Sequence, residues 1–444
     1  MITGPSLLLL ILASIVLIIL LTAKFKLHPF LALIIACFFL GITVRIPLPE
    51  LIKSMEKGFG GIMSYIGMIV IFGSVIGVFL EKSGGAMKIA QRIIKLTGEK
   101  KTIPAISLIG AVVSVPVFCD SGFILLSGLA NKLSKLSHTS KASLNLALAT
   151  GLYTTHTLVP PTPGPIAAAG NIGASGYLGT IILLGICFSI PVLFITQLLS
   201  KRLGKHIVTK EVHNEIEEDD LTIMPSLKNA LIPLLLPILL IALGTIFRFT
   251  GIETPWLNFL SAPVVAIFIG AIVAMLLLRP RNKNEYSDWF LEAIKVSGPI
   301  LIITAAGGAF GGVLKATPLS EYVSLWMTSG DSNDVLILIL IFIIAAVLKS
   351  AQGSSTSAMV ITSSLLAPLI PALGWDSAIQ FALAVLVIGG GAMTVSHFND
   401  SYFWVVSQFS GMSAKDTNRS FTLITGIQGV LVLTLSILIW LFVI

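Results

Sequence analysis

The sequence predicts an all-α polytopic membrane protein: an inverted repeat of two five-span halves, each with one re-entrant hairpin and one broken helix. Three observations predict this fold class. Apolar runs of about twenty residues, the length of a membrane span, recur through a chain that is 55% hydrophobic and 11% charged. Polar segments interrupt these runs at matching places in the two halves. A weak internal repeat relates the halves at an almost constant offset.

The apolar runs predict full spans at about 5–23, 28–46, 60–80, 143–165, 177–200, 228–249, 256–278, 296–314, 378–409 and 420–443. Two further stretches, about 104–134 and about 335–370, each contain two runs of about fifteen residues around a polar centre. Fifteen helical residues rise about 22 Å, which is short of the ~30 Å hydrocarbon core. A hairpin that turns at mid-depth therefore fits each stretch better than two complete spans.

Charged loops predict the orientation. Lys and Arg concentrate in the loop after the first span, on both flanks of the first hairpin and in later alternate loops, which marks these loops as cytoplasmic. The flanks of the second hairpin, 331–334 and Asp376, carry no Lys or Arg and are expected outside. The two hairpins then enter the membrane from opposite sides, and both termini lie outside.

The internal repeat defines the two halves. Its matched groups are Gly73, Gly77 and Leu80 with Gly307, Gly311 and Leu314, Ala111-Val112 with Ala346-Val347, and Ala147-Leu148-Ala149 with Ala382-Leu383-Ala384. Because the number of spans in each half is odd, the halves must have opposite orientations. We divide the chain into a first repeat at 1–200, an acidic cytoplasmic linker at 201–227 and a second repeat at 228–444.

Proline, charge and histidine interrupt two predicted spans, at 154–165 (TTHTLVPPTPGP) and at 396–401 (SHFNDS). Proline cannot continue a helix, and irregular backbone at membrane depth survives only where it is buried in protein or lines a polar cavity. Two such breaks at matching positions are typical of the binding site of a secondary transporter. The alternative for the proline run is an ordinary loop at the membrane surface.

Ionisable residues occupy the same positions. Asp120 and Asp400 stand at a hairpin centre and at a break, so they are candidates for proton or cation coupling, or for helix N-caps. We favour Asp400 as the proton carrier because it lies beside His397, and Asp120 as mainly a hairpin cap. His156 and His397 could bind substrate, titrate or form interior hydrogen bonds. Lys349 could attract an anion, extend to the membrane surface or pair with an acid.

Hydroxyl, amide and glycine residues surround these groups. They suit hydrogen bonding to a polyhydroxylated ligand, and a small-residue surface for helix packing is the alternative. The predicted substrate-binding residues are Ser121, His156, Thr162, Gly164, Gln352, Gly353, Ser354, Ser355, Thr356, His397, Asn399 and Ser401.

Composition and motifs exclude other classes of protein. The net charge of +7 comes from residues in short loops between spans, so it reflects orientation in the membrane and not nucleic-acid binding. The three cysteines fall in apolar segments without metal-ligand spacing, and neither HExxH nor GxSxG occurs. We expect no enzyme activity, no metal and no cofactor. The expected partners are a small anionic substrate and the lipid bilayer.

Four motifs resemble the gluconate permease family of the ion-transporter superfamily. They are 116–123 (PVFCDSGF), 156–165 (HTLVPPTPGP), 351–354 (AQGS) and 396–401 (SHFNDS), and the likeness covers essentially the whole chain. Members carry gluconate and related sugar acids, and others carry D-serine or smaller hydroxy acids, usually by proton symport. The family commonly has Phe where Cys119 stands and Gly where Tyr402 stands. Both departures adjoin the predicted site, so the resemblance specifies the family and not the substrate.

The resemblance implies a multi-pass protein of the cytoplasmic (inner) membrane that imports gluconate or a related small hydroxycarboxylate. It also implies proton symport, an elevator-type motion of a transport domain against a scaffold, and a homodimer. A carrier of D-serine or another small amino or hydroxy acid, and a sodium-coupled carboxylate transporter, are the alternatives.

Overall fold

The computed structural model describes residues 1–98, 101–210, 224–249, 254–280, 285–319 and 334–443. These ranges are helical and contain no strand. The helices before the acidic segment are α1 (Pro5–Ile19), α2 (Pro29–Thr43), α3 (Leu48–Lys82), α4 (Gly85–Thr97), α5 (Thr102–Val113), α6 (Cys119–Ser137), α7 (Lys141–Leu158), α8 (Pro163–Asn171) and α9 (Leu178–Gly204). A π-helical turn, Leu20–Lys24, extends α1, and a 3-10 turn, Ser175–Tyr177, precedes α9.

The helices after the acidic segment are α10 (Leu227–Phe249), α11 (Pro255–Ser261), α12 (Pro263–Leu277), α13 (Glu285–Lys315), α14 (Asp334–Gln352), α15 (Ser355–Leu366), α16 (Ile370–Leu373), α17 (Ala378–Met393), α18 (Ser401–Ser410) and α19 (Ala414–Val443). Of the predicted linker, the acidic residues 211–220 lie outside the described residues, as do 331–333 in the predicted outer flank. The start of that linker belongs to α9, which continues to Gly204.

Among the described residues, seven helices are long and apolar enough to cross a membrane, or eight if α11 and α12, bent by 63°, are one span. The span predicted at 60–80 is the second part of the 35-residue α3. Pro47 is the N-cap of this helix, and a proline in its first turn suits a helix start, where N–H groups lack partners. The charged residues between 50 and 57 lower the hydropathy there, which is why the span prediction began too late.

The hairpin segments have unequal arms. The arms α5 and α15 have 12 residues each and rise about 18 Å, too short to cross the hydrocarbon core. The arms α6 and α14 have 19 residues each, and α14 is long and apolar enough to cross by itself. The prediction of equal arms of about fifteen residues is therefore wrong.

Packing between the hairpin segments and the interrupted helices brings them to the centre of the bundle. The pair α5–α6 packs on α7, and the pair α14–α15 packs on α17. In addition, α6 contacts α18 and α15 contacts α8, so the second arm of each pair also packs on the helix that follows the other pair's break. The Thr155 hydroxyl, on α7, donates to the Ala111 carbonyl of α5 over 2.8 Å.

The longest helices, α3 and α13, pack against each other through glycine. A Cβ atom on Gly58 would lie 2.2 Å from the Gly308 carbonyl oxygen, and one on Gly312 would lie 2.3 Å from the Ser54 carbonyl oxygen. Such approach distances leave no room for a side chain. Small residues at a helix crossing are the usual means by which membrane helices approach closely.

We expect Gly58→Ala to separate α3 from α13 and to lower the free energy of unfolding by ~1–3 kcal/mol, because the added methyl group overpacks the crossing. Gly60→Ala is the matched control, since a Cβ atom there has no atom within 4 Å. The control is expected to be neutral or to stabilise α3 by up to ~1 kcal/mol. Thermal unfolding of both variants in detergent makes the comparison, and equal midpoints would contradict the close crossing.

Candidate functional site

The first break separates α7 from α8. Helix α7 ends at Leu158, and α8 begins at Pro163, where prolines in the first turn remove N–H groups that a helix start leaves unbonded. The Thr162 hydroxyl donates to the Val159 carbonyl across the break over 2.7 Å. His156 lies in the last turn of α7, is 5% exposed, and has its ring 6.0 Å from the ring of Phe118. The break is thus buried in protein and is not a surface loop.

The second break separates α17, which ends at Met393, from α18, which begins at Ser401. The Asp400 carboxylate caps α18 by accepting from the Tyr402 N–H over 3.1 Å. Asp120, in contrast, lies in the first turn of α6, whose N-cap is Phe118 and has no side-chain cap. The N-cap prediction is therefore confirmed for Asp400 and wrong for Asp120.

The turn between α14 and α15 docks on the second break. Gly353 has φ +73, and a Cβ atom there would lie 1.8 Å from the Asn399 carbonyl oxygen. The Asn399 amide donates to the Ala351 carbonyl over 2.6 Å. Ser354 caps α15 by accepting from the Ser357 N–H over 3.3 Å. Backbone contact therefore holds this turn against the break, and only glycine fits at its closest point.

A buried ion pair joins the same two elements. The Lys349 ammonium group, on α14, lies 2.6 Å from the Asp400 carboxylate, with side chains 1% and 5% exposed. Lys349 also donates to the Gly353 carbonyl over 3.3 Å and lies 5.5 Å from the centre of the Tyr153 ring. The Ser396 hydroxyl donates to Asp400 as well. Of the roles left open for Lys349, pairing with an acid is the one observed.

The His397 ring is not the partner of the Asp400 carboxylate in the structure. Its Nδ1 atom accepts from the Asn399 N–H over 3.3 Å. The side-chain oxygen Oδ1 of Asn399 accepts a hydrogen bond from the Lys26 ammonium group over 3.2 Å. The Asp400 N–H does donate to the His397 carbonyl over 2.8 Å, but the partner of the Asp400 carboxylate is Lys349 and not the His397 ring.

Three side chains in the hairpin turns and the first break carry polar atoms without a hydrogen-bond partner. These are Oδ1 of Asp120, Nδ1 of His156, and both Oε1 and Nε2 of Gln352. A buried polar atom without a partner costs about 1–3 kcal/mol. Asp120 and His156 lie close enough to Lys349 and Asp400 to interact electrostatically. The structure thus brings hydrogen-bonding groups that none of the described residues uses next to a buried ion pair.

The other predicted site residues are distributed around this cluster. Gly164 approaches α15, since a Cβ atom there would lie 3.9 Å from the Thr356 Cα atom and 2.8 Å from the Met359 sulfur. Ser355 is buried at the start of α15, and Ser121 is half-buried in the first turn of α6. Ser401 begins α18 and is exposed, with no hydrogen bond that ties it to the cluster.

Several polar residues outside the predicted set of binding residues connect the central helices. The Tyr402 hydroxyl donates to the Ala149 carbonyl over 2.9 Å, and the Gln428 amide donates to the Thr154 hydroxyl over 2.7 Å. The Asn171 amide donates to the Ser363 hydroxyl over 2.8 Å and to the Val360 carbonyl over 3.1 Å. The available signal was an amide or phenol inside an otherwise apolar run.

Cavities lie beside the central helices, and one of them adjoins the first break. A small one lies between α3, the turn before α6 and the first break, and its lining includes Ser74, Phe118, His156 and Thr162. A crevice of about 840 Å³ lies between the α3–α13 pair and the ends of α8 and α15, and Lys57, Lys315, Asn171 and Ser364 are among the residues that line it.

The architecture resembles solved transporters. The Alcanivorax borkumensis YdaH transporter superposes with a TM-score of 0.66 at 16% identity, over 89% of this chain and 88% of that one. Neisseria gonorrhoeae MtrF, described as illuminating a class of antimetabolite efflux pumps, superposes with a TM-score of 0.63 at 14% identity, over 89% and 85%. The fold is therefore one that membrane transporters use.

Sequence comparison specifies the family. Residues 6–443 match the family described as GntP family permease. The chain is 30% identical to a gluconate permease of Pseudomonas aeruginosa over 96% of each chain. It is 31% identical to the D-serine transporter DsdX of Escherichia coli (strain K12), over 95% of this chain and 96% of the relative. The protein belongs to the GntP permease family and is an integral membrane protein, which confirms the resemblance seen in its motifs.

We expect Gly353→Ala to displace the α14–α15 turn from the second break, because its methyl group would overlap the Asn399 carbonyl group. Gly374→Ala is the matched control: Gly374 also has a positive φ, +65, but a Cβ atom there has no atom within 4 Å. Both variants carry the ~1–2 kcal/mol cost of a left-handed residue, so the difference in their thermal unfolding midpoints isolates the docking contact. Equal midpoints would show that the turn does not dock there.

Proposed function

We propose that this protein is a secondary active transporter that imports gluconate or a related small sugar acid or hydroxycarboxylate across the cytoplasmic (inner) membrane. The observation that carries the proposal is the cluster of Lys349, Asp400, Asp120 and His156 where two breaks and two hairpin turns meet. Ionisable groups are costly at membrane depth and typically mark a substrate or ion pathway. Membership of a family of permeases supports the same conclusion.

The crossed packing of the hairpin pairs supports the inverted repeat. The first pair contacts α18 and the second pair contacts α8, as expected if each half contributes the same elements in opposite orientation. In this arrangement both hairpins are re-entrant, both termini are outside, and the acidic segment between the halves is cytoplasmic. The predicted domain limits, 1–200 and 228–444, then extend to the end of α9 at Gly204 and to the start of α10 at Leu227.

The predicted binding residues suit a hydroxylated acid. The Gln352 amide and His156 Nδ1 provide hydrogen-bonding groups that none of the described residues uses. The hydroxyl groups of Ser354, Ser355 and Thr356 follow directly at the start of α15. A site built for hydroxyl groups discriminates strongly against ligands that lack them, because its own polar groups are then left unpaired. The substrate is an anion, and neither a metal nor a cofactor takes part.

Proton coupling accounts for accumulation of such an anion. Import of one anion with one proton moves no net charge, and the driving force is then the pH gradient together with the substrate gradient. Asp400 and Asp120 are the candidate proton carriers. Asp400 remains the first choice because it pairs with Lys349, so a change in its charge would affect the contact between the second break and the α14–α15 turn.

The crevice between the α3–α13 pair and the ends of α8 and α15 supports an elevator-type motion. In the proposed orientation it opens to the outside, and the charged residues Glu50, Lys57 and Lys315 line its walls. The α3–α13 pair would belong to a scaffold, against which the hairpins and broken helices move as a transport domain. A homodimer would hold two such scaffolds together.

A carrier of D-serine or another small amino or hydroxy acid is the second candidate function, and the relative named D-serine transporter DsdX supports it. Both candidates share a carboxylate on a small polar molecule. Sodium in place of the proton is the alternative coupling ion.

We expect purified protein in liposomes to accumulate at least one acid from a panel of gluconate, other sugar acids and D-serine when the outside is made acidic. A sodium gradient alone should give no accumulation, and liposomes without protein supply the baseline. Radiolabelled uptake measures both. Accumulation under sodium alone would refute proton coupling, and no uptake of any acid would refute the proposed function.

We expect Lys135→Cys to react with a membrane-impermeant thiol reagent only from the cytoplasm, and Asp376→Cys only from outside. The reason is that the hairpin segments they flank enter from opposite sides of an inverted repeat. The native protein, with its three cysteines in apolar helices, is the control for background labelling. Labelling of both variants from one side would contradict the topology.

A further inference from the structure

We propose that the carboxylate of the substrate replaces Asp400 as the partner of Lys349, and that the displaced Asp400 takes up the transported proton. The proposal rests on the proposed function and names the residue that recognises the acid group. Two carboxylates, one from the protein and one from the substrate, then compete for a single buried ammonium group.

Lys349 is suited to this role by its position. Among the described residues it is the one buried Lys or Arg, and Asp400 is the one buried Asp or Glu. Lys349 stands one turn before Gly353, at the point where the α14–α15 turn meets the second break. A cation in such surroundings is strongly attracted to any carboxylate that reaches it, because little solvent screens the interaction.

Lys349 keeps its place when Asp400 leaves. Its ammonium group is also held by the Gly353 carbonyl at 3.3 Å and lies over the Tyr153 ring at 5.5 Å. An ammonium group has three donors, so the one now directed at Asp400 becomes available to the substrate without movement of α14. The cation is therefore positioned by the protein independently of the pair.

Asp400 retains partners after it is displaced and protonated. The Tyr402 N–H donates to Oδ1 at 3.1 Å, and Ser396 lies in hydrogen-bond contact with Oδ2. In the neutral acid, Oδ1 continues to accept from Tyr402 while the new O–H donates to the Ser396 hydroxyl, which can both donate and accept. The proton comes from water on the outer side and returns to water on the inner side when the substrate leaves and the pair with Lys349 re-forms.

The surrounding groups favour uptake of a proton with the anion. The titratable groups that face Asp400 are Lys349 from α14, Asp120 and Cys119 from α6, and His156 and Tyr153 from α7; Tyr402 follows on α18 itself. Two acids already share one cation. Entry of a third carboxylate would leave an excess of negative charge in a poorly solvated site, and protonation of Asp400 removes it.

Four forms of the protein test the proposal: wild type, Lys349→Arg, Asp400→Asn, and the double variant Lys349→Met with Asp400→Asn. The single Lys349→Met variant is avoided because it leaves a buried carboxylate without its cation, whereas the double variant removes both charges. Thermal unfolding in detergent verifies that each variant folds. Calorimetry then measures binding of gluconate and D-serine at pH 6 and pH 8, with sorbitol as an uncharged polyol.

We expect three results for the affinity of the acid. Wild type binds the acid on the order of tenfold or more tightly at pH 6 than at pH 8, because binding takes up a proton, and Lys349→Arg retains this dependence. Asp400→Asn binds tightly at both values because its side chain is permanently neutral. The folded double variant binds roughly a hundredfold more weakly or not at all, which corresponds to the loss of a charge-assisted contact.

Two results would overturn the proposal while leaving the proposed function intact. If the double variant binds the acid with wild-type affinity, Lys349 does not bind the substrate and serves only as the structural partner of Asp400. A pH dependence that persists in Asp400→Asn would place the proton elsewhere. Absence of binding and transport of any acid by the wild-type protein would instead refute the proposed function itself.

Discussion

The structure depends on one constraint: polar backbone and charged side chains at membrane depth must find their partners inside the protein. The two breaks and the hairpin turns expose such groups, and they satisfy one another. The Asn399 amide bonds to the backbone of α14, Gly353 rests on the Asn399 carbonyl group, and Lys349 neutralises Asp400. A site that closes in this way can also open, since each contact joins two elements and none is covalent.

The sequence predicted the positions of the helix breaks best, because polar residues and prolines interrupt its apolar runs there. Proline at 160–165 and the polar segment at 396–401 located both helix breaks, because few arrangements tolerate these residues at membrane depth. It was less informative about the first part of α3, whose charged residues were attributed to a loop. The sequence also did not indicate that the two arms of each hairpin segment differ in length, because hydropathy records apolar content and not where a helix ends.

The pairing of Lys349 with Asp400 was beyond the reach of the sequence pattern. The two residues are 51 positions apart and on different elements, so their contact depends on how α14 packs against α17 and α18. Sequence adjacency favoured His397 as the partner of Asp400, and the structure gives His397 the Asn399 N–H instead. The repeat aligns Asp120 with Ser355 and Asp400 with Pro165, so the two halves share a backbone plan but not the charges of the site.

A counterflow experiment tests most directly whether transport uses one central site that is exposed alternately to the two sides of the membrane. Liposomes containing the protein are loaded with an unlabelled acid that the protein transports, and entry of the labelled acid is followed without any ion gradient. A carrier must return its site to the outer face, so the account predicts that the internal acid accelerates entry and produces a transient overshoot. Entry at the same rate with and without internal acid would contradict it and would indicate a channel.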